Sequence, residues 1–284
     1  MRHILLCLIL LSDACFVLAS PPRLIVRGDD MGAAHAVNEA IIKCHKEGIQ
    51  TSIEVIVPSP WFPEAAKMLA ENRTVDVGVH LALSSEWDNV KWRPVSDCPS
   101  LRDADGYFHP MIYPNKSYPG RSLKDHDWKL EDVEKEFRAQ IELAVKRLPN
   151  VSHLSGHMGC SAISGEVRDL VRRLAAEYRL DIEPADLGVK GIGFVGARGT
   201  SEEKIESFIR MLDSLEQDKT YLFVEHPGLD TPEMRAIHHV GYENVAVDRQ
   251  GVTDAWTSPR VREQIKARGI QLIGYRDLKP SAKE

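Results

Sequence analysis

Short apolar runs alternate with longer amphipathic ones along almost the whole chain. Residues 24–27 read as a strand that ends at Gly28-Asp29-Asp30. A helix follows over 35–47, with Val37, Ile41 and Cys44 at helical spacing and Gly48 as its stop. Residues 53–57 form a second strand, ended by Pro58, and Pro63 opens the next helix. Residues 75–83 form a third strand. Val133, Phe137, Ile141 and Val145 recur every four residues and predict an amphipathic helix over 131–148. A strand at 151–155 precedes a helix marked by Val167, Leu170, Val171, Leu174 and Tyr178. Thr200 and Glu203 make a capping box before another helix. A strand at 221–224, a helix opened by Ser258-Pro259 and a strand at 271–275 complete the pattern. Repeated strand–helix units imply parallel strands with helices outside. At 284 residues the expected fold is α/β, a single distorted (β/α) TIM-like barrel over 20–284. The run Gly191-Ile-Gly-Phe-Val-Gly meets the dinucleotide fingerprint only in part and reads as a loop.

Residues 84–128 interrupt the alternation and form a long loop-rich insertion. They hold five prolines (Pro94, Pro99, Pro110, Pro114 and Pro119) and the aromatics Trp87, Trp92, Tyr107, Phe108, Tyr113 and Tyr118. A long irregular stretch in a compact fold is functional or disordered, and aromatic content argues against disorder. Flat aromatic faces suit sugar rings, and equally suit a small satellite core beneath a loop.

Residues 1–19 have the form of a secretory signal. Arg2 precedes an apolar run over 4–11, and Val17 and Ala19 occupy the −3 and −1 positions of a cut after Ala19. Asp13 breaks the run short of the ~20 apolar residues a membrane span needs. The expectation is therefore a secreted or periplasmic protein, with no membrane association once the signal is removed. Cys7 and Cys15 would leave with the signal. Cys44, Cys98 and Cys160 remain, an odd number, so at least one is a free thiol or pairs between chains. A homo-oligomer stays open. Asn72, Asn115 and Asn150 begin tripeptides with the form of glycosylation sequons. The net charge is −6 with 36 scattered basic residues, which excludes nucleic acid as the main partner, since phosphate binding needs a clustered basic face.

In a (β/α) barrel, sites form at the C-terminal ends of strands. Asp29-Asp30 end the first strand. His80 lies near the end of the third, and His157 follows the strand at 151–155. One carboxylate and two imidazoles from separate strands can hold a divalent ion with open positions. Asp30, His80 and His157 are the candidate ligands. The adjacent Asp29 is then free to act as a general base on water. Arg27, two residues earlier on the same strand face, is placed to pair with Asp29 and hold it ionised. Cys160, three residues past His157, reads as structural.

Several segments in order resemble the YdjC-like carbohydrate deacetylases. Arg27-Gly28-Asp29-Asp30-Met31-Gly32, then Val37-Asn38, then Gly48-Ile49-Gln50-Thr51-Ser52 resemble the family's opening signature. Gly78-Val79-His80-Leu81, Glu225-His226-Pro227-Gly228 and the ending around Arg276-Asp277-Leu278 resemble later motifs. The resemblance implies a distorted (β/α) barrel, a divalent metal (zinc first, magnesium second) and an N-acetylated carbohydrate as substrate. It implies hydrolysis of the N-acetyl group of an amino sugar, with Asp30, His80 and His157 on the metal, Asp29 as base and His226 as acid for the leaving amine. The third motif departs from the family's usual Asp-Ser-His-Gln-His: here it is Ser155-Gly156-His157-Met158-Gly159. A carbohydrate-binding protein with a decayed site and a metal-free glycoside hydrolase are the alternatives. The second needs two carboxyls about 5–9.5 Å apart across the sugar, for which neighbouring aspartates are poorly placed.

Overall fold

Strand β1 (Arg23–Met31) anchors the sheet of a computed structural model that describes residues 19–278. The signal segment read at 1–19 lies outside the described residues except for Ala19. Helix α1 (His35–Glu47) follows, then β2 (Ser52–Val55), α2 (Phe62–Ala70), β3 (Asp76–Leu81), α3 (Leu130–Arg147), β4 (Val151–Gly156) and α4 (Gly165–Glu177). The second half contains β5 (Lys190–Ile192), α5 (Ser201–Asp213), β6 (Thr220–Glu225), α6 (Pro232–Arg235), α7 (Val245–Thr257), α8 (Pro259–Ala267) and β7 (Gln271–Leu272). All ladders are parallel, in the order β4-β3-β2-β1-β6-β5. β6 takes one edge of β1 from Arg23 to Gly28, and β7 pairs only with Arg23 and Leu24.

The sheet is barrel-like but open: of the expected distorted (β/α) barrel, the parallel strands and flanking helices are present and the closure is not. β4 and β5 end the path without pairing to each other. β5 has three residues and β7 two, too few ladder bonds to close the ring. The anticipated last strand at 271–275 stops at Leu272, and the chain turns into a 3-10 segment, Tyr275–Leu278. Tyr275 there stacks on His153 of β4, ring centroids 3.5 Å apart.

The apolar core lies between the sheet and its helices. Leu24 and Val26 of β1 pack with Phe208, Met211, Trp256 and Val261 from α5, α7 and α8. Ile53, Val55, Val77 and Val79 pack with Val37, Ile41, Leu69, Phe137 and Ile141 from α1, α2 and α3. The opposite face of the strands is largely polar beyond a small apolar cluster of Ile25, Ile182, Ile273 and Tyr275: Arg27 and Asp29, Glu54, His80, and His153 with Ser155 meet there. A barrel interior is usually filled by branched apolar side chains; this one carries a hydrogen-bonded network. Gly78 makes room for it. A Cβ at that position would lie 2.3 Å from Glu54 Oε2 and 2.5 Å from His153 Nε2.

Local signals explain most elements. Thr200 and Glu203 form both bonds of the capping box at α5. Ser258 precedes Pro259 at the start of α8 but makes no side-chain capping bond. Gly48 ends α1 against α7, where an added Cβ would lie 2.4 Å from the Trp256 carbonyl oxygen. The loop read at 191–196 begins with a short strand, Lys190–Ile192. Between β3 and α3 only two 3-10 turns form, Pro99–Leu101 and Leu123–Asp125. Trp87, Trp92 and Phe108 in that stretch are buried and extend the main core, and Tyr118 is buried as well. Tyr113 is exposed. Cys44, Cys98 and Cys160 are all buried free thiols.

Phe223 of β6 tests the outer core. It is fully buried, with ring centroids 4.7 Å from Phe208 and 5.1 Å from Phe194. Phe223→Ala should cost about 3–5 kcal/mol through lost burial and a residual cavity. Denaturant midpoints at unchanged slope would check this.

Candidate metal centre

Four strand ends meet at one edge of the sheet. β1 brings Asp29 and Asp30, β3 brings His80, and His157 and His226 follow β4 and β6 directly. Consecutive strand residues normally point to opposite faces. Here Asp30 has φ 71°, and the β1–β2 register shifts between Gly28 and Met31. A bulge re-aims side chains, so both carboxylates face the same site. The strand ends at the aspartates as expected, running through them to Met31. A left-handed aspartate costs about 1 kcal/mol or more, and such strain collects at functional sites.

The predicted ligands come together. Asp30, His80 and His157 each offer one atom, and these atoms lie within 4.8 Å of one another, all buried. Asp30 Oδ1 is 3.2 Å from His157 Nδ1 and 3.7 Å from His80 Nε2. It is buried and has no aligned hydrogen-bond donor. A buried carboxylate oxygen without a donor is costly. One cation facing that oxygen and the two imidazole nitrogens would satisfy all three, so the residues present fit a divalent ion. Carboxylate and imidazole are donors that zinc accepts.

Each member of the cluster has its own support. Arg249 of α7 donates from Nη2 to Asp30 Oδ2 at 2.8 Å. Glu86 Oε2 lies 2.9 Å from His157 Nε2, leaving Nδ1 toward Asp30. His80 Nδ1 is 2.7 Å from Ser155 Oγ. Such outer partners set the tautomer and direction of metal ligands. Arg27 donates twice to Asp29, from Nε at 2.7 Å and Nη2 at 2.8 Å, the pairing expected from the sequence. Asp29 Oδ2 lies 3.6 Å from His80 Nε2. His226 stands at the rim, its side chain 40% exposed and Nε2 3.9 Å from Asp30 Oδ2.

Charge follows this geometry. Burial alone would raise the Asp30 carboxyl, but the His226, Arg249 and His157 charges outweigh it and hold Asp30 well below the usual range. Burial pushes His80 down to about 4, so it is neutral near pH 7. Burial also opposes charge on His157, yet Glu86 and Asp30 outweigh it and raise that imidazole to about 10. His226 is raised as well: its partial burial works against the charge, and Asp30 and Glu225 overcome it. Burial pushes the Cys160 thiol up to about 12, and its Sγ donates to the Leu81 carbonyl at 3.0 Å. That confirms its structural reading.

Sequence reasoning missed Glu54, Glu86 and Arg249. A lone Glu within an apolar strand was a signal for the first. Glu86 sits in the irregular stretch and Arg249 on a helix without clear apolar periodicity, so neither carried one.

Fold and site together define an α/β protein with a three-strand Asp-His-His cluster suited to a divalent cation. The chain belongs to the YdjC-like protein family, whose model matches residues 23–267. A carbohydrate deacetylase from Thermus thermophilus is 32% identical over 238 residues, covering 75% of this chain and 80% of that one. A carbohydrate deacetylase from Brevibacillus brevis is 27% identical over 271 residues, covering 90% and 99%. A crystal structure from Enterococcus faecalis V583, of a protein provisionally named for cellobiose-phosphate cleavage, superposes with TM-score 0.72 at 25% identity. It covers 92% of this chain and all of that one.

Proposed function

We propose that this protein is a cation-dependent carbohydrate deacetylase that hydrolyses the N-acetyl group of an amino sugar or oligosaccharide. The observation that carries the reading is the convergence of Asp30 Oδ1 with two buried imidazole nitrogens at the strand ends. The names of the relatives support the reaction class.

Asp30, His80 and His157 would hold the ion. When bound, it supplies Lewis-acid polarisation of the acetamide carbonyl and lowers the pKa of water, toward ~7 in good zinc sites. Asp29 accepts the proton of the attacking water. The two Arg27 bonds keep that carboxylate aimed. His226, whose raised pKa favours the protonated ring, gives its proton to the leaving nitrogen. Acetate and a free amine result. Arg249 fixes Asp30 from behind, leaving Oδ1 for the ion. Among the aromatics of the irregular stretch, Tyr113 is exposed and lies beside Gly159, two residues past His157. It offers a face to a sugar ring.

A glycoside hydrolase is poorly served here, because Asp29 and Asp30 are neighbours on one strand and each is held by an arginine. The meeting of Asp30, His80 and His157 supports an intact site over the decayed-site alternative.

The test is acetate release over a panel of N-acetylated mono- and oligosaccharides, with metal analysis of the same sample. Acetate release that a strong chelator stops is expected. Full activity in chelator would refute the reading. Cation affinity should also rise with pH. His157 is protonated below about 10 without an ion and must lose that proton to bind. Affinity should climb up to about tenfold per pH unit between pH 6 and 8, measured by competition against a chelator of known affinity. His80 adds no slope in this window because it is already neutral.

A further inference from the structure

The interior network holds a carboxylate that the reaction above does not use. Glu54, in the middle of β2, is fully buried. Its Oε1 lies 2.5 Å from His153 Nε2, its Oε2 accepts the Ser155 hydroxyl, and Arg27 Nε stands 3.9 Å away. Behind His153, Nδ1 is 2.7 Å from Ser152 Oγ, which donates to Asp76 Oδ1 at 2.6 Å, and Arg276 pairs with Asp76 at 3.0 Å. Glu54 is therefore braced by His153, Ser155 and Arg27.

The proton count along the other arm is decisive. A serine hydroxyl carries one proton, and an ionised carboxylate only accepts. Ser155 therefore donates to Glu54. The same oxygen is 2.7 Å from His80 Nδ1, so His80 must be the donor in that contact. A neutral imidazole with its proton on Nδ1 has its lone pair on Nε2. Nε2 is the atom that faces Asp29 and Asp30, at 3.6 and 3.7 Å.

We propose that Glu54, acting through Ser155, fixes the tautomer and ring direction of His80 so that Nε2 is presented to the cation. Both are positioning residues, and the inference rests on the ligand reading above. The charge behind His80 thus comes from β2. Glu86 does the corresponding work for His157 from the opposite side.

Two measurements on cation-free protein and its zinc-loaded form test this. Long-range 15N–1H spectra of histidine-labelled, cation-free protein, assigned with His80→Gln, should show His80 with its proton on Nδ1. Ser155→Ala should shift His80 toward the other tautomer and weaken zinc binding about 10- to 100-fold, the usual cost of losing an outer partner. Ser155→Thr keeps the hydroxyl that bridges Glu54 and His80. It should restore both readouts. A wild-type His80 protonated on Nε2 would overturn the proposal. So would a folded Ser155→Ala protein with unchanged tautomer and zinc affinity. If the wild type binds no zinc, the ligand reading fails separately, and the tautomer alone decides the positioning claim. Neither readout needs deacetylation to occur.

Discussion

Asp29→Asn should lower kcat for acetate release by about 10²- to 10⁴-fold, the usual worth of a positioned general base. The substitution preserves shape but removes the ability to take a proton. Asp29 accepts two Arg27 bonds and lies 3.6 Å from His80 Nε2, beside the ligand cluster without belonging to it. Cation binding should therefore survive. A ligand that binds the folded state alone raises its stability by about 2.7 kcal/mol at 100 times its Kd. The zinc-dependent rise in Tm should be intact in Asp29→Asn. A variant that kept wild-type kcat would remove Asp29 from the reaction. One that lost the zinc-dependent rise would make Asp29 a ligand.

His80→Ala should give the other pattern. It removes one of three donors and leaves Asp30 Oδ1 with a single imidazole beside it. Loss of cation affinity should exceed the about 10- to 100-fold seen for outer partners, and acetate release should fall with it. The zinc-dependent rise in Tm should vanish at micromolar zinc. The pair of variants separates the two roles: Asp29→Asn loses turnover and keeps the ion, while His80→Ala loses both. Full activity and full metal content in His80→Ala would break the ligand assignment.

Much of this was readable from residue order, and the reasons are physical. Periodic helices with stops, such as α1 before Gly48 and α3 around Phe137 and Ile141, form where expected because apolar spacing sets the buried face. The meeting of Asp30, His80 and His157 and the Arg27–Asp29 pair were legible because each sits at a strand end, where parallel sheets expose functional groups. Helix α7 was not legible. Its Val245, Val247 and Val252, with Gly251 and Thr253, weaken local helix preference, and packing against α5 decides the matter: a Cβ at Gly251 would lie 3.0 Å from the Lys204 side chain. Missing α7 meant missing Arg249. The turn at Asp30 was invisible for a similar reason, since a left-handed aspartate inside a strand follows from the β1–β2 register shift. The aromatics of 84–128 could serve a core or a ligand. Trp87, Trp92 and Phe108 went to the core, and their spacing carries no information about that choice.

The central claim is that one cation sits among Asp30, His80 and His157. Anomalous diffraction from crystals grown with zinc measures this directly. A single strong peak in coordinating reach of Asp30 Oδ1, His80 Nε2 and His157 Nδ1 is expected, about 2.0–2.2 Å from each. A peak elsewhere on the molecule, or none in crystals of protein that still releases acetate, would contradict it.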